Sequence, residues 1–215
     1  MSLPAYFYIT IIYIVLWFFL KNHSTEKIVN LIGYYALVFI TQEILAWLYS
    51  YLTHKSNHWI YNIITPIQVV FMLFVYQKIS LTKKYKSFIS LVIVIFVIFT
   101  LLNILFIQSF FRFNTYSYIF GCLLLLITCL KYFIDLHKTE ISLPIFKSPF
   151  FWITTGNLIY YAGSMFYMGS INYILDKQLD DFGDLVNIFV YLFTSLQFLF
   201  FLFGLLCSWK AEQKF

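Results

Sequence analysis

YKSFISLVIVIFVIFTLLNILFI, residues 85–107, is the clearest indication of the fold, because it carries no charged side chain after Lys86. About 20 consecutive apolar residues are enough for an α-helix to cross the hydrocarbon core of a bilayer. Six further apolar runs surround this one, and only short polar connections separate them. The sequence therefore predicts an all-α protein, a polytopic transmembrane bundle of seven helices that forms a single domain over residues 1–215. The predicted helices are Pro4–Leu20, Ile28–Leu52, His58–Ile79, Tyr85–Ile107, Phe113–Phe133, Ser148–Tyr173 and Leu185–Trp209.

The composition agrees with a chain whose solvent is lipid. Hydrophobic residues make up 62% of it and charged residues 11%, whereas about 25% of residues are charged in ordinary globular proteins. In a soluble protein the net charge of +5 would suggest nucleic acid as a partner. Here the cations lie in the connections, so the predicted partner is the lipid bilayer and not nucleic acid. The cysteines Cys122, Cys129 and Cys207 lie in apolar runs without CxxC or Cys/His spacing, which predicts no disulfide framework, metal site or cofactor.

The lysines of the short connections predict the orientation, because cytoplasmic loops carry an excess of Lys and Arg. The distribution predicts an N-terminus outside and a C-terminus inside, and it alternates correctly at every loop. Met1–Thr10 has no positive segment before its apolar residues and predicts a first spanning helix rather than a signal peptide. The predicted outer side holds Lys55, Arg112 and Lys177 together with Asp176, Asp180, Asp181 and Asp184. The predicted inner side holds Lys21, Lys27, Lys78, Lys83, Lys84, Lys86, Lys131, Lys138, Lys147, Lys210 and Lys214.

Glu43 is the most informative single residue, because it lies well inside the apolar stretch of the second predicted helix. A carboxyl group in a membrane interior is costly and points to function. We predict it to be protonated or hydrogen-bonded to neutral polar groups. Depth counting places four polar residues at about the same level, Gln68, Tyr161, Thr194 and Ser195. The sequence leaves three roles for this layer open: a structural hydrogen bond between the second and third helices, a ligand or signalling site, and proton or ion passage.

Polar side chains also follow one face of three predicted helices. On the third helix they recur at helical spacing beside Pro66, which predicts a kink. On the sixth, Gly156 and Gly163 are small enough to permit close helix contact. These faces predict either a polar cavity that binds a ligand or the packed core of the bundle. The faces consist of Tyr61, Thr65, Gln68, Met72 and Tyr76 on the third helix, Asn157, Tyr160, Tyr161, Ser164 and Tyr167 on the sixth, and Asn187, Tyr191, Thr194 and Ser195 on the seventh.

The sequence lacks the residues that three kinds of enzyme would need. A zinc hydrolase requires His and carboxylate ligands at helical spacing, but His54 and His58 flank a predicted outer loop without a neighbouring carboxylate. A nucleophilic serine requires a buried base, and acid–base work on a lipid requires a second titratable group beside Glu43. The sequence therefore predicts no catalytic residue. The predicted ligand-binding residues are Glu43, Gln68, Thr65, Asn157, Tyr161, Tyr191 and Thr194.

Four stretches carry a resemblance over about three quarters of the chain. They are NHWIYNIITPIQVVFMLFVY (from residue 57), FNTYSYIFGCLLLLITCLKYF (from 113), SPFFWITTGNLIYYAGSMFY (from 148) and NIFVYLFTSLQFLFFLFGLLC (from 187). The chain resembles an uncharacterised family of small bacterial seven-helix membrane proteins and, more weakly, is similar to membrane sensor segments of bacterial histidine kinases. The resemblance implies the bacterial inner membrane and a receptor-like role. The family pattern has Pro-Ile-Glu where this chain has Pro66, Ile67 and Gln68, so an acid–base role does not transfer.

The leading functional hypothesis is a membrane-embedded sensor or accessory signalling protein. It would bind a small or lipid-like ligand between helices 2, 3, 6 and 7 and relay a helix shift to a separate cytoplasmic partner. Two alternatives from other classes are a small transporter or channel and a pore-forming oligomeric membrane effector. A lipid-modifying enzyme would need His58 or the outer aspartates to fold back toward Glu43. The basic segment Lys83–Lys86 is expected to attract anionic lipid, with docking of the partner as the alternative.

Overall fold

The computed structural model describes residues 5–21, 27–80, 82–138, 145–179 and 184–212, which are almost wholly helical. Of the residues used for prediction above, Pro4, Asp180, Asp181 and Lys214 lie outside these ranges. The seven predicted helices are present within a few residues of their predicted ends, and a short additional helix precedes the last one. The α-helices are α1 (Ala5–Leu20), α2 (Lys27–Thr53), α3 (His58–Ile79), α4 (Lys83–Leu102), α5 (Thr115–Lys138), α6 (Pro149–Gly169), α7 (Ile171–Asp176) and α8 (Asp184–Glu212).

Five helical segments in the described part of the chain are long and apolar enough to cross a membrane. In α4, Ile89 and Phe96 are buried while Leu91 and Ile98 on the opposite side are more than half exposed. A helix that is apolar on its outward face as well as its inward face is typical of a membrane span. The chain therefore has the architecture of a multi-pass membrane protein. The five segments are Val29–Thr53, His58–Ile79, Lys83–Ile107, Thr115–His137 and Ile188–Trp209.

The bundle is organised around α6 and α8, which form its most extensive helix pair. A Cβ atom on Gly156 of α6 would lie 2.8 Å from the Cβ of Phe200 and 3.0 Å from the carbonyl oxygen of Gln197 on α8. The missing side chain therefore lets the two backbones approach, as predicted from the small residues of this helix. α5 packs on the other side of α6, α1 packs on α8 and α2, and α3 contacts α2, α4 and α5.

Two predicted helices are interrupted. The helix predicted over Tyr85–Ile107 changes at Asn103 into a π-helical turn, in which the backbone N–H of Gln108 donates to the carbonyl of Asn103 at 2.7 Å. The helix predicted over Ser148–Tyr173 ends at Gly169, and α7 begins after Ser170. Gly169 is a weak helix former, and the next turn is held elsewhere, since Asn172 donates to the carbonyl of Phe113 at 2.8 Å.

The two ends of the bundle are defined by contacts between loops and helix termini. We call one the Asn57 end, where the side chain of Asn62 reaches the carbonyl of Arg112 at 2.7 Å and Arg112 contacts Asp176. The opposite Lys78 end holds the α3–α4 connection, where the side chain of Gln77 donates to the carbonyl of Lys86 at 3.0 Å. At each end, the contacts named here join segments that the lysine distribution assigned to the same side.

Candidate functional site

A cavity of about 330 Å³ opens between the helices in the half of the bundle nearest the Asn57 end. Its walls come from α1, α2, α3, α5, α6, α7 and α8. Five of the predicted ligand-binding residues line it, namely Glu43, Thr65, Gln68, Tyr191 and Thr194. The sequence had placed these five residues on three different helices, at one depth or on polar faces, and the bundle brings them to one space.

Glu43 projects from α2 to the cavity wall, where it is half-buried. The hydroxyl of Tyr6 on α1 donates to its Oε2 atom at 2.7 Å, and the hydroxyl of Tyr61 on α3 lies 3.3 Å from its Oε1 atom. The predicted hydrogen bonds to neutral polar groups are therefore present. They join three helices rather than the predicted two. The Tyr6 contact was missed because its partner is 37 positions away, and only the packing of α1 against α2 brings them together.

Asn157 and Tyr161, which were also predicted to bind ligand, do not line this cavity. Asn157 is buried farther toward the Lys78 end, where it donates to the Tyr76 hydroxyl at 3.0 Å and accepts a hydrogen bond from Gln197 at 2.9 Å. Tyr161 is 4% exposed and packs against Tyr160. Helical spacing placed Asn157, Tyr161 and the cavity-lining Ser164 on the inward half of α6. It could not distinguish residues that border the cavity from residues that pack against other helices.

Four cavity-lining side chains carry buried polar atoms that have no hydrogen-bond partner among the described residues. They are Oε1 of Gln42, Nε2 of Gln68, Oγ of Ser164 and Oγ1 of Thr194. Buried polar groups in proteins are nearly always satisfied by protein, water or ligand. A space of this volume could hold about ten water molecules. The cavity wall therefore offers both donors and acceptors to whatever occupies it.

A polar cluster fixes the loop at the mouth of the cavity. Asn62 of α3 donates to the carbonyls of Phe110 and Arg112, each at 2.7 Å, and accepts from the backbone N–H of Asn114 at 2.9 Å. Asn103 donates to the side chains of Asn114 and Gln108. These asparagines were missed as a group, although their presence inside apolar helices was the available signal. They hold the 108–114 loop against α3 and so position Phe113 at the cavity wall.

The half of the bundle nearest the Lys78 end is filled. Phe198, Phe201 and Leu205 of α8 have no exposed surface, and Tyr13 of α1 packs against the first two rings at 6.1 and 6.2 Å between ring centroids. Tyr35 of α2 meets Phe201 edge to face. None of these rings lines the cavity, but Phe198 packs at 5.1 Å between ring centroids against Phe39, which does.

The exposed ion pair at the Asn57 end lies outside the spanning helices. The guanidinium of Arg112 hydrogen-bonds the carboxyl of Asp176 and lowers the pKa of that carboxyl from its ordinary 3.8. The same contact raises the pKa of Arg112. Because both side chains are more than half exposed, the pair joins the 108–114 loop to α7 with little effect on stability.

Comparison with protein-family models, curated proteins and solved structures finds no match. The geometry of the cavity is therefore the basis for a functional assignment. Within the described residues, no three His, Cys, Asp or Glu side chains come together as metal ligands would. What the cavity presents is one carboxyl group, unsatisfied amide and hydroxyl groups, and aromatic rings, which is a set suited to binding a small molecule.

Proposed function

We propose that this protein is a membrane-embedded sensor or accessory signalling protein that binds a small or lipid-like ligand inside its helix bundle. The observation that carries the proposal is the cavity of about 330 Å³ with Glu43 and four unsatisfied polar groups on its wall. Small-molecule sites are typically concave, mostly apolar and furnished with a few placed polar groups. The volume lies at the lower end of the usual range, which favours a small molecule or one end of a lipid.

The proposed topology has seven spans, α1–α6 and α8, in a bacterial inner membrane, with the N-terminus outside. α1 has 16 residues and reaches about 24 Å, a length that a locally thinner bilayer accommodates. The proposal makes the cavity accessible from the outside. If it is correct, an impermeant maleimide added to intact cells labels a Lys55→Cys variant and leaves a Lys84→Cys variant unlabelled. The reverse pattern would invert the topology.

The filled half of the bundle supports sensing over passage. A transporter or channel needs a continuous polar path, but the buried rings of Phe198 and Phe201 lie between the cavity and the Lys78 end. A ligand that enters at the Asn57 end could instead change how α3 and α8 pack. Such a shift would move the lysines at the Lys78 end. We propose that this movement changes their contacts with a separate cytoplasmic partner or with lipid headgroups.

The binding step can be tested with three amphiphiles of equal chain length: octanol, octanoate and octyltrimethylammonium. Binding is measured by the rise in unfolding temperature of the purified protein in nanodiscs. We expect at least one to stabilise the wild type and not a Ser164→Phe variant, whose ring would fill the cavity. Thr41→Phe is the matched control, because Thr41 is exposed on the outer face of α2. The proposed function fails if none of these three probes binds and choline, titrated as described below, does not bind either.

The relay is tested separately by spin labels at Lys78 on α3 and His137 on α5, both exposed at the Lys78 end. A Cys207→Ser background leaves Cys122 and Cys129, which are buried. We expect the stabilising probe to change the distance distribution between the labels. A bound probe that leaves this distribution unchanged would mean that binding is not coupled to the opposite end.

A lipid-modifying enzyme is the second candidate, because His58 and Glu43 line the same cavity. The sequence had offered Glu43 without a second titratable group. An imidazole and a carboxyl group in one space are the minimum for acid–base work. Mass spectrometry of membrane lipids should then show a product that disappears in both His58→Gln and Glu43→Gln cells. Identical lipid profiles in wild-type and variant cells would discard this candidate.

A further inference from the structure

The cavity has an aromatic wall around its carboxyl group. Seven of its lining residues carry phenyl or phenol rings, supplied by six helices and the 108–114 loop. Tyr6 packs against Tyr191 with 5.3 Å between ring centroids, and Phe113 packs against Tyr118 at 5.6 Å. The rings are Tyr6, Phe39, Tyr61, Phe113, Tyr118, Tyr160 and Tyr191.

Such a wall favours a cation that has an apolar surface. The faces of aromatic rings carry partial negative charge and attract ammonium groups, most strongly where water is excluded, and aromatic cages recognise quaternary ammonium ligands. A carboxyl group away from water is costly to ionise unless a cation pairs with it. No Lys or Arg side chain lines this cavity, and the basic group on its wall is the imidazole of His58, so the wall provides no permanent cation to pair with Glu43.

The unsatisfied polar atoms add a second requirement. Oε1 of Gln42, the residue beside Glu43, is an acceptor suited to an N–H group or to the positive end of a ligand. Nε2 of Gln68 is a donor, and the hydroxyl of Thr194 can donate or accept. A ligand that satisfies them carries an oxygen as well as an ammonium group.

We infer that the cavity binds an organic ammonium ion bearing a hydroxyl or ester oxygen, with its ammonium group held between Glu43 and the aromatic wall. This inference rests on the proposed ligand-binding function and specifies the class of ligand. The same chemistry occurs in free amino alcohols and in the headgroups of zwitterionic lipids. The volume of about 330 Å³ suits the headgroup of such a lipid rather than the whole molecule.

The test uses choline and its uncharged isostere 3,3-dimethylbutan-1-ol, which differ in charge and hardly in shape. Both are titrated by calorimetry against the full chain in phosphatidylglycerol nanodiscs, which contain no choline headgroups. We expect choline to bind at least about tenfold more tightly, since desolvated cation–π contacts alone account for such a ratio. Equal affinities, or binding of the isostere alone, would overturn the inference. This comparison needs no variant and is independent of any folding defect.

Variants then assign the interaction to residues. Glu43→Gln should weaken choline binding by about tenfold or more and leave the isostere unaffected. Tyr191→Phe keeps the ring and should retain binding, whereas Tyr191→Leu should lose it. Loss in both Tyr191 variants would point to the hydroxyl and contradict the aromatic role, and unchanged binding in Glu43→Gln would contradict the ion pair.

Two further arms separate the possible outcomes. Lysophosphatidylcholine binding more tightly than choline indicates a lipid headgroup as the source, and the reverse indicates a free amine; either result supports the ammonium class. If octanol or octanoate binds in the cavity and choline does not, the ammonium inference fails while the sensor proposal stands. If neither these probes nor choline bind, both fail together.

Discussion

The two halves of the bundle differ in what occupies the space between their helices. Toward the Asn57 end the helices surround a cavity of about 330 Å³, and polar atoms on its wall are unsatisfied. Toward the Lys78 end the same helices enclose Phe198, Phe201 and Leu205, none of which has exposed surface. α8 contributes to both halves, with Tyr191 and Thr194 beside the cavity and the three apolar residues in the filled part.

This contrast separates stability from binding within one set of helices. Dispersion contacts between closely packed groups stabilise helix association in membranes, where lipid tails are as apolar as the side chains. The half nearest the Lys78 end has such contacts, whereas the half nearest the Asn57 end lacks them around Glu43. We call these parts the filled half and the hollow half. Three paired experiments compare them, and a fourth concerns the exposed ion pair at the Asn57 end.

The largest effect is expected from removing a ring in the filled half. Phe201→Ala should lower the free energy of unfolding by about 3–5 kcal/mol, since the ring is fully enclosed and leaves a cavity. Tyr191→Ala should cost much less, because Tyr191 already borders open space. Unfolding in mixed micelles measures both values. Equal losses would mean that the hollow half is as well packed as the filled half.

Removing a hydrogen bond should also destabilise the filled half more than the hollow half, although the difference in unfolding free energy should be smaller. A double-mutant cycle on Asn157→Ala and Gln197→Ala should give a coupling of about 0.6–1.7 kcal/mol, the range for side-chain hydrogen bonds within membranes. Tyr6→Phe, which removes a 2.7 Å bond to Glu43, should cost less because water in the cavity can replace the hydroxyl. A larger loss for Tyr6→Phe would identify Glu43 as a principal structural contact.

Unsatisfied hydroxyl groups provide a third comparison. The Tyr13 hydroxyl lies in the filled half without a hydrogen-bond partner among the described residues. Tyr13→Phe should therefore raise stability by up to about 1 kcal/mol. Thr194→Val removes a hydroxyl that faces the cavity, where water satisfies it, and should leave stability unchanged. Thermal unfolding tests both, and a stabilising Thr194→Val would indicate that the cavity is dry.

The smallest effect is expected at the exposed pair of Arg112 and Asp176. The pKa of Asp176 is lower in the folded protein than its ordinary 3.8. The pair therefore contributes its stability at neutral pH, above that ordinary value, and loses it as the pH falls through the lowered one. Unfolding temperatures between pH 7 and pH 3 should fall slightly less for Asp176→Asn than for the wild type. The difference should disappear in high salt, and persistence there would indicate a contact other than the ion pair.

Periodicity and depth counting located most of the cavity wall but not its limits. Glu43, Gln68 and Thr194 share a cavity because short connections fix antiparallel helices, so equal depth along the chain becomes proximity in space. Tyr6 and Gln42 were missed as members of the wall, and His58 was considered only for an enzymatic role. The polarity of Gln42 inside an apolar helix was an available signal. Asn157 and Tyr161 satisfied the same rules but are buried without lining the cavity.

The helices follow from the sequence alone. In lipid, backbone polar groups must be satisfied within the spanning segment, so seven apolar runs with short polar connections favour seven helices. The sequence also predicts that most lysines lie on one side of the membrane, because they occur in alternate connections. The position of the close α6–α8 contact and the position of the cavity depend on the tertiary structure. That depends on individual contacts such as the approach of Gly156 to the α8 backbone, which is a matter of shape between distant residues and not of hydrophobic pattern.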